Sequence, residues 1–274
     1  MRRQRQMWLG GIGLVLAASA IWARDLAWLS APADTLPLAL GLPLAYYLGC
    51  PWHPHKGVLP DHKPALVTLG VVGFGSGWVL DSLTLLAFSW SFLALLWGHR
   101  WFTQEPGRGR LAWLLVLSFP WLVSEWQTIG WAFRLSSAAV AEQVFGLLQM
   151  PTQREGTHLA IMGLPIEIEA SCAGWNLLQL TLLTGVAVGA SGIRSSRRFA
   201  LLLGLLPAIA WLANLLRILL LAGIALSFDT QVAGGAIHGL TGLAVLGGVV
   251  VLLKWLCYLL EPPPQTTTRL IQAV

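Results

Sequence analysis

The chain has 274 residues, 56% of them hydrophobic and only 11% charged, with a mean hydropathy of +0.69, whereas soluble proteins carry about 25% charged residues. That composition excludes a soluble globular enzyme and predicts a polytopic membrane protein. The net charge of +5 reads as topological anchoring, and nothing about it asks for nucleic acid.

A bilayer core needs about 20 mostly apolar residues per helix, and eight segments meet that need, near 7–23, 27–49, 64–80, 82–98, 111–130, 172–191, 199–225 and 236–259. The expected fold class is an all-α polytopic membrane protein, a single integral membrane domain over 1–274. Within it, 1–130 hold five helices, 131–171 an extracytoplasmic segment, 172–260 a three-helix part and 261–274 a cytoplasmic tail.

The first segment, "MRRQRQMWLGGIGLVLAASAIWA", also has the arginine-rich start and small-residue stretch of a signal peptide. Because the chain then crosses the membrane repeatedly, it is read as a retained helix. Asp34 and several prolines interrupt the second segment, leaving a start near Leu36 open. With the N-terminus inside, only Arg24, Arg134 and Arg154 fall outside and Arg217 falls within a span, so the remaining Lys and Arg collect on the cytoplasmic side as the positive-inside rule requires. Both termini are then cytoplasmic.

Between the second and third segments, His53, His55 and His62 in "PWHPHKGVLPDHK" lack a cysteine or acidic cluster to complete a metal site. Glycines 70, 73, 75 and 77 in "GVVGFGSG" sit in an apolar span with no βαβ context, so they read as small-residue helix packing rather than a phosphate loop. No His-Glu-x-x-His occurs, which leaves a zincin unsupported. Glu125, in the outer third of the fifth segment, needs water or a partner; orienting His238, pairing with Arg217 and marking a helix end all stay open. The many tryptophans read as interfacial belts.

The 131–171 connection opens with "WAFRLSSAAVAEQVFGLL", apolar at helical spacing and expected to lie on the membrane surface. "THLAI" and "PIEIEA" around "MGLP" then predict a two-stranded hairpin. Glu167 and Glu169 share one face of its second strand, solvated or placed to meet a basic acceptor. The hairpin delivers the chain to Cys172 at the outer end of the sixth segment.

Cys50 and Cys257 fall at cytoplasmic helix ends and read as small hydrophobes. Cys172 has no partner thiol on its own side, in a compartment that favours pairing. Arg217 lies about eight residues from the outer end of the seventh segment, roughly 12 Å at 1.5 Å per residue. Charge there costs at least about 2.5–3.5 kcal/mol, so it needs a function or an anchoring partner. Asn214, three residues earlier on the same face, is placed to orient the guanidinium. His238 stands within about one turn of the outer end of the eighth segment, and Gly239 and Gly242 leave room for a neighbour or substrate. Cys172, Arg217 and His238 thus converge from three helices on one leaflet. A thiolate is the nucleophilic form, histidine moves protons near neutral pH, and arginine holds an oxyanion. Together they describe acyl transfer through a thioester.

"EASCAGWNLLQL", "PAIAWLANLLRI" and "GGAIHGLTG", in that order, resemble the exosortase/archaeosortase family, whose motifs centre on a cysteine with a small residue and Gly, an Asn-x-x-Arg pair and His-x-x-x-Gly. The resemblance covers about residues 146–245. It implies Cys172, Arg217 and His238 as the catalytic set and a membrane-embedded cysteine transpeptidase. Such enzymes cleave C-terminal sorting tails of membrane-anchored substrates (short motif, transmembrane helix, basic cluster; typically Pro-Glu-Pro in bacteria) and pass the protein to an envelope acceptor, with no cofactor. Asn214, Gly174 and Glu125 are the candidate substrate-binding or orienting residues. The chain departs from the family's usual Cys-Ser-Gly by having Cys172-Ala173-Gly174, followed by Trp175 and Asn176. Two other readings stay open: a hydrolytic intramembrane cysteine protease sharing the thioester, and a transporter or scaffold with an anion site at Arg217 and His238. A transporter predicts a midplane site and a polar inner half, and the inner halves of these segments are nearly uncharged.

Overall fold

The computed structural model describes residues 2–24, 38–56, 60, 63–103, 107–167, 175–228 and 235–261. Ten α-helices are found among them: α1 (Arg2–Arg24), α2 (Gly41–Leu48), α3 (Pro64–Val79), α4 (Leu83–Trp101), α5 (Ala112–Leu117), α6 (Trp121–Glu125), α7 (Gln127–Leu147), α8 (Trp175–Gly192), α9 (Ser196–Ser227) and α10 (Gly235–Leu260). Three strands, β1 (Thr152–Glu155), β2 (His158–Ile161) and β3 (Leu164–Glu167), follow α7. The protein is thus mostly helical. Of the eight expected spans, three described helices are long and apolar enough to cross a membrane, namely α1, α9 and Ile237–Leu260 of α10. Pro64–Val79 and Leu177–Gly192 are shorter apolar helices, and the second expected span falls partly outside the described residues.

The fifth expected span, 111–130, is not one helix. It breaks at Ser118–Phe119–Pro120 into α5 and α6, and a third helix, α7, begins at Gln127. Proline cannot donate and clashes with the carbonyl four residues back, so the break leaves carbonyls to be satisfied away from water. Trp121 Nε1 donates to Val116 O at 2.9 Å, and the buried Gln179 of α8 donates through Nε2 to Leu117 O at 3.0 Å and Phe119 O at 2.6 Å. Interior Phe119, fully buried, closes the break against Trp90 and Trp22.

Helices α3 and α4 form a hairpin whose contact is made by three of the four glycines of α3, while Gly75 faces open space. An added Cβ would lie 2.6 Å from Leu93 at Gly70, 2.5 Å from Ser89 at Gly73 and 2.9 Å from Leu86 at Gly77. Small-residue packing is therefore what these positions do. Helix α4 docks on α1 through Trp90 Nε1 to Leu14 O (2.8 Å) and Trp97 Nε1 to Met7 O (3.3 Å).

The main core joins α2, α5, α8, α9 and α10 around Leu114, Val186, Leu202, Leu206, Ala210, Val249 and Leu253. At its end, Glu261 accepts from the backbone N–H groups of Arg194 (2.7 Å) and Ser195 (3.1 Å), and Arg110 donates to the carbonyls of Ile193 and Arg194. The Ser195 N–H first of all, helped by the Arg194 N–H and the charges of Arg198 and Arg194, holds the Glu261 carboxyl below its ordinary range.

A second core sits on the outer half of α9. Ala138, Ala141 and Phe145 of α7 pack there with Leu159 and Ile161 of β2 against Leu215, Ile218 and Ala222. One apolar face of α7 is thus covered by protein, while Ile129, Trp131 and Leu147 of the same helix stay exposed. The sheet is also larger than the expected hairpin. β2 pairs antiparallel with β3 (Ile161 opposite Leu164) across a Met162–Gly163 turn with φ of 54° and 84°, and β1 adds a third strand, Thr152 opposite Ile161. Arg154 of β1 bonds Glu142 of α7 at 2.8 Å. Glu167 stands opposite His158 in the register, and Glu169 lies outside the described residues.

Candidate active site

Helices α8 and α9 run antiparallel and touch at two glycines. An added Cβ would come within 2.3 Å of Leu206 at Gly185 and 2.6 Å of Leu202 at Gly189. Continuing that register by equal rise along both helices sets Trp175, the first residue of α8, level with Leu216. α10 runs parallel to α8, with Gly192 against Cys257 (3.4 Å from an added Cβ); the same step sets Trp175 level with Leu240. Arg217 and His238 therefore lie at the height where α8 begins.

These two side chains meet across α9 and α10. Arg217 Nη2 and His238 Nε2 are 2.7 Å apart, both residues half-buried. A guanidinium has no acceptor and always carries its protons, so Nε2 accepts in this contact. Gly242, one turn after His238, provides the floor: a Cβ there would lie 3.5 Å from Arg217 Cζ and 3.6 Å from Nε and Nη2. The room expected at Gly242 is taken by the guanidinium. Gly239 faces open space.

Two polar groups next to this pair are unsatisfied. Arg217 Nε is buried and has no hydrogen-bond partner among the described residues. Asn214 is fully buried, and neither its Oδ1 nor its Nδ2 has a partner among them. Buried polar atoms in native proteins are nearly always paired, and an unpaired one costs about 1–3 kcal/mol. A cation, an imidazole and an unengaged amide on one patch can bind a carbonyl, receive negative charge developing on it and move a proton.

Cys172 and Gly174 lie outside the described residues. Glu125 is brought elsewhere: its carboxylate takes the N–H groups of Leu83 and Thr84 (the latter at 3.0 Å) and the hydroxyls of Ser82 (3.3 Å) and Thr84. It caps the start of α4, where an anion complements the helix dipole, and it bonds neither Arg217 nor His238. Cys257 is buried in the main core and Cys50 is exposed after α2. No group of three or more His, Cys, Asp or Glu that could hold a metal occurs among the described residues.

The residue that sequence reasoning passed over is Gln179. A lone amide in the apolar run "NLLQLTLL" was its signal, and it fixes the beginning of α8 onto the broken α5–α6 segment. Comparison with curated proteins and with solved structures finds no match to the chain. The family of transmembrane exosortases, however, matches residues 3–255, from the first turn of α1 to the last turns of α10, and the chain belongs to that family.

Proposed function

We propose that this transmembrane exosortase is a cysteine peptidase and transpeptidase in which Cys172 is the nucleophile, His238 the proton carrier and Arg217 the oxyanion holder. The observation that carries the reading is the 2.7 Å Arg217–His238 contact beside Arg217 Nε and the Asn214 amide, which have no partner among the described residues. A second support is covalent. Cys172 is three residues before Trp175, a tether of at most about 10 Å from the helix start that stands level with the pair.

In the proposed reaction the Cys172 thiol gives its proton to His238 Nε2, and the sulfur bonds to the scissile carbonyl carbon. Arg217 turns from Nε2 to the oxyanion, which frees the imidazole lone pair for that proton. The C–N bond then breaks, the leaving amine takes the proton from His238, and a thioester remains for an acceptor nucleophile. Asn214 and the Gly174 backbone orient the substrate.

Family membership implies membrane-associated substrates that carry sorting signals. The fuller proposal is a C-terminal tail of Pro-Glu-Pro type with an apolar helix and a basic cluster, and an envelope acceptor. It sets the protein in a bacterial inner membrane with both termini cytoplasmic and the site outside, 172–260 forming the catalytic part.

The test is coexpression with a tagged protein ending in such a tail. A hydroxylamine-sensitive adduct on the enzyme is expected, absent from Cys172→Ala and retained in Cys257→Ala. Normal tail removal by Cys172→Ala would sink the mechanism. A product with a free C-terminus, rather than an acceptor-linked one, would assign hydrolysis in place of transfer.

A further inference from the structure

The sheet runs in the order β1-β2-β3, and α7 packs on β1 and β2, so among the described residues β3 is hydrogen-bonded along one edge only. The Met162–Gly163 turn, with φ of 54° and 84°, is of type I′, and a turn of this kind bonds Leu164 N–H to Ile161 O. Antiparallel partners alternate between bonded and unbonded pairs. Leu164 and Ile166 therefore direct their backbone groups to Ile161 and Leu159, whereas those of Pro165 and Glu167, opposite Ala160 and His158, point to the second edge. Pro165 has no N–H to leave unpaired there, and such an edge is where a strand tolerates proline.

This edge offers three groups: the carbonyls of Pro165 and Glu167 and the Glu167 N–H. None of them has a partner among the described residues. The side chains agree with the backbone. Leu159 and Ile161 of β2 are buried with α7 against α9, while Ile166 and Leu164, on the same face of β3, are only half-buried. The hydrogen-bond ladder and the apolar layer are thus open on the same side.

We propose that this edge binds the extended substrate segment preceding the scissile bond, as a fourth strand parallel to β3. The proposal rests on Cys172 being the nucleophile. Cys172 follows Glu167 by five residues, at most about 18 Å of chain, so a peptide beside β3 brings its scissile bond within about five residues of the position opposite Glu167. Its C-terminal side continues past Cys172 into the membrane as the sorting tail, which gives it the direction of β3. Sheet edges hold extended peptides through main-chain hydrogen bonds, with alternate side chains setting selectivity. Here the inward ones meet Leu164 and Ile166, so apolar residues suit those positions. A second copy of β3 suits the edge less well, because Pro165 withholds a donor from each of two self-paired strands.

Disulfide cross-linking tests it, using the full-length Cys172→Ala protein and the tagged substrate with single cysteines walked through the segment before the cleavage site. Adjacent strands stand about 4.8 Å apart, within disulfide reach, and Cys172→Ala without an added cysteine gives the background. Glu167→Cys should join one substrate residue no more than about five before the cleavage site. Pro165→Cys should join the residue two positions earlier, the intervening one staying unlinked. With Cys172 intact, Glu167→Pro removes the one donor of the edge without breaking a bond to β2. It should raise KM at least about fivefold, the effect of one hydrogen bond, with kcat per folded molecule little changed, whereas Glu167→Ala keeps the N–H and should leave KM unchanged. Cross-links without alternation, the two partners in reverse order, or an unchanged KM in folded Glu167→Pro overturns the proposal. A Glu167→Cys dimer formed without substrate also overturns it, by assigning the edge to a second copy. Docking is read in a protein that lacks the Cys172 thiol, so its failure is distinct from failure of the catalytic reading, which tail removal by Cys172→Ala would show.

Discussion

Substituting Gly242 tests the placement of Arg217 without touching a reacting group. An alanine Cβ would sit 3.5 Å from Arg217 Cζ and 3.6 Å from Nε and Nη2, ordinary contact that moves nothing. A leucine carries its branch roughly 1.5 Å or more beyond Cβ, the length of a carbon–carbon bond. In the rotamer that follows the Cβ direction, its methyls would come to about 2 Å from the guanidinium. The planar group must then shift by more than an ångström, which breaks its 2.7 Å contact with His238. If Arg217 stabilises the oxyanion, displacing it should cost about as much as losing an oxyanion-hole donor, on the order of 10²–10³ in rate. The expected result is Gly242→Ala within about threefold of the unaltered enzyme and Gly242→Leu slower by about 10² or more. Gly239→Leu, pointing into open space one turn away, should be the near-neutral control. The assay is tail cleavage per folded molecule in detergent, the folded fraction counted by fluorescence size-exclusion. Gly242→Leu with normal specific activity would refute the claim that Arg217 must stay on this floor to work.

Arg217→Lys keeps a charge but loses the planar fork; it should fold and cleave at least about tenfold more slowly, with Arg217→Ala slower still in activity per folded molecule. A merely anchoring arginine would instead lower yield and leave specific activity intact. Gln179→Leu strands two buried carbonyls, so it should destabilise the protein by about 1–3 kcal/mol, read as a lower thermal midpoint in detergent; an unchanged midpoint would show that the α5–α6 break is satisfied without it. Glu261 has its carboxyl held below the ordinary 4.5, so the stabilisation it brings is full above that value and is lost as pH falls through the lower folded value. The midpoint difference between the unaltered protein and Glu261→Gln should therefore be flat above pH 5 and shrink below 4.5, and a constant difference down to pH 3 would exclude the ionised carboxylate as its source.

What the sequence disclosed follows from the cost of polarity in an apolar chain. Arg217 and His238 stand out because each is expensive where it lies, and the fold joins them at 2.7 Å across two helices. The glycines of α3 were legible because small residues in an apolar helix have one common use. The broken fifth span was not, although Pro120 was in plain view. A proline in a membrane helix is tolerated whenever something re-satisfies the freed carbonyls, and that something is Gln179, about sixty residues away. β1 was hidden because "TQRE" is polar and exposed along nearly its whole length, leaving no alternation to read. Glu125 stayed open for a related reason: depth alone announces that an acid needs a partner, and a helix start forty residues earlier in the chain is as good a partner as an intramembrane arginine.

The Gln179 contact also bears on why a transmembrane exosortase needs its N-terminal helices. The Arg217–His238 contact is made by α9 and α10, yet the bonds from Gln179 tie the first turns of α8 to the carbonyls of Leu117 and Phe119. That fixes one end of the tether on which Cys172 rides. The other end is β3, paired to β2, whose Leu159 and Ile161 are buried with α7 against the outer half of α9, the helix that carries Arg217. Seven residues, 168–174, join these two anchored points. If Cys172 is the nucleophile, as proposed, its approach is set by both anchors, one given by the broken helix and one by the sheet. Loosening either should misplace the sulfur even though Arg217 and His238 stay together.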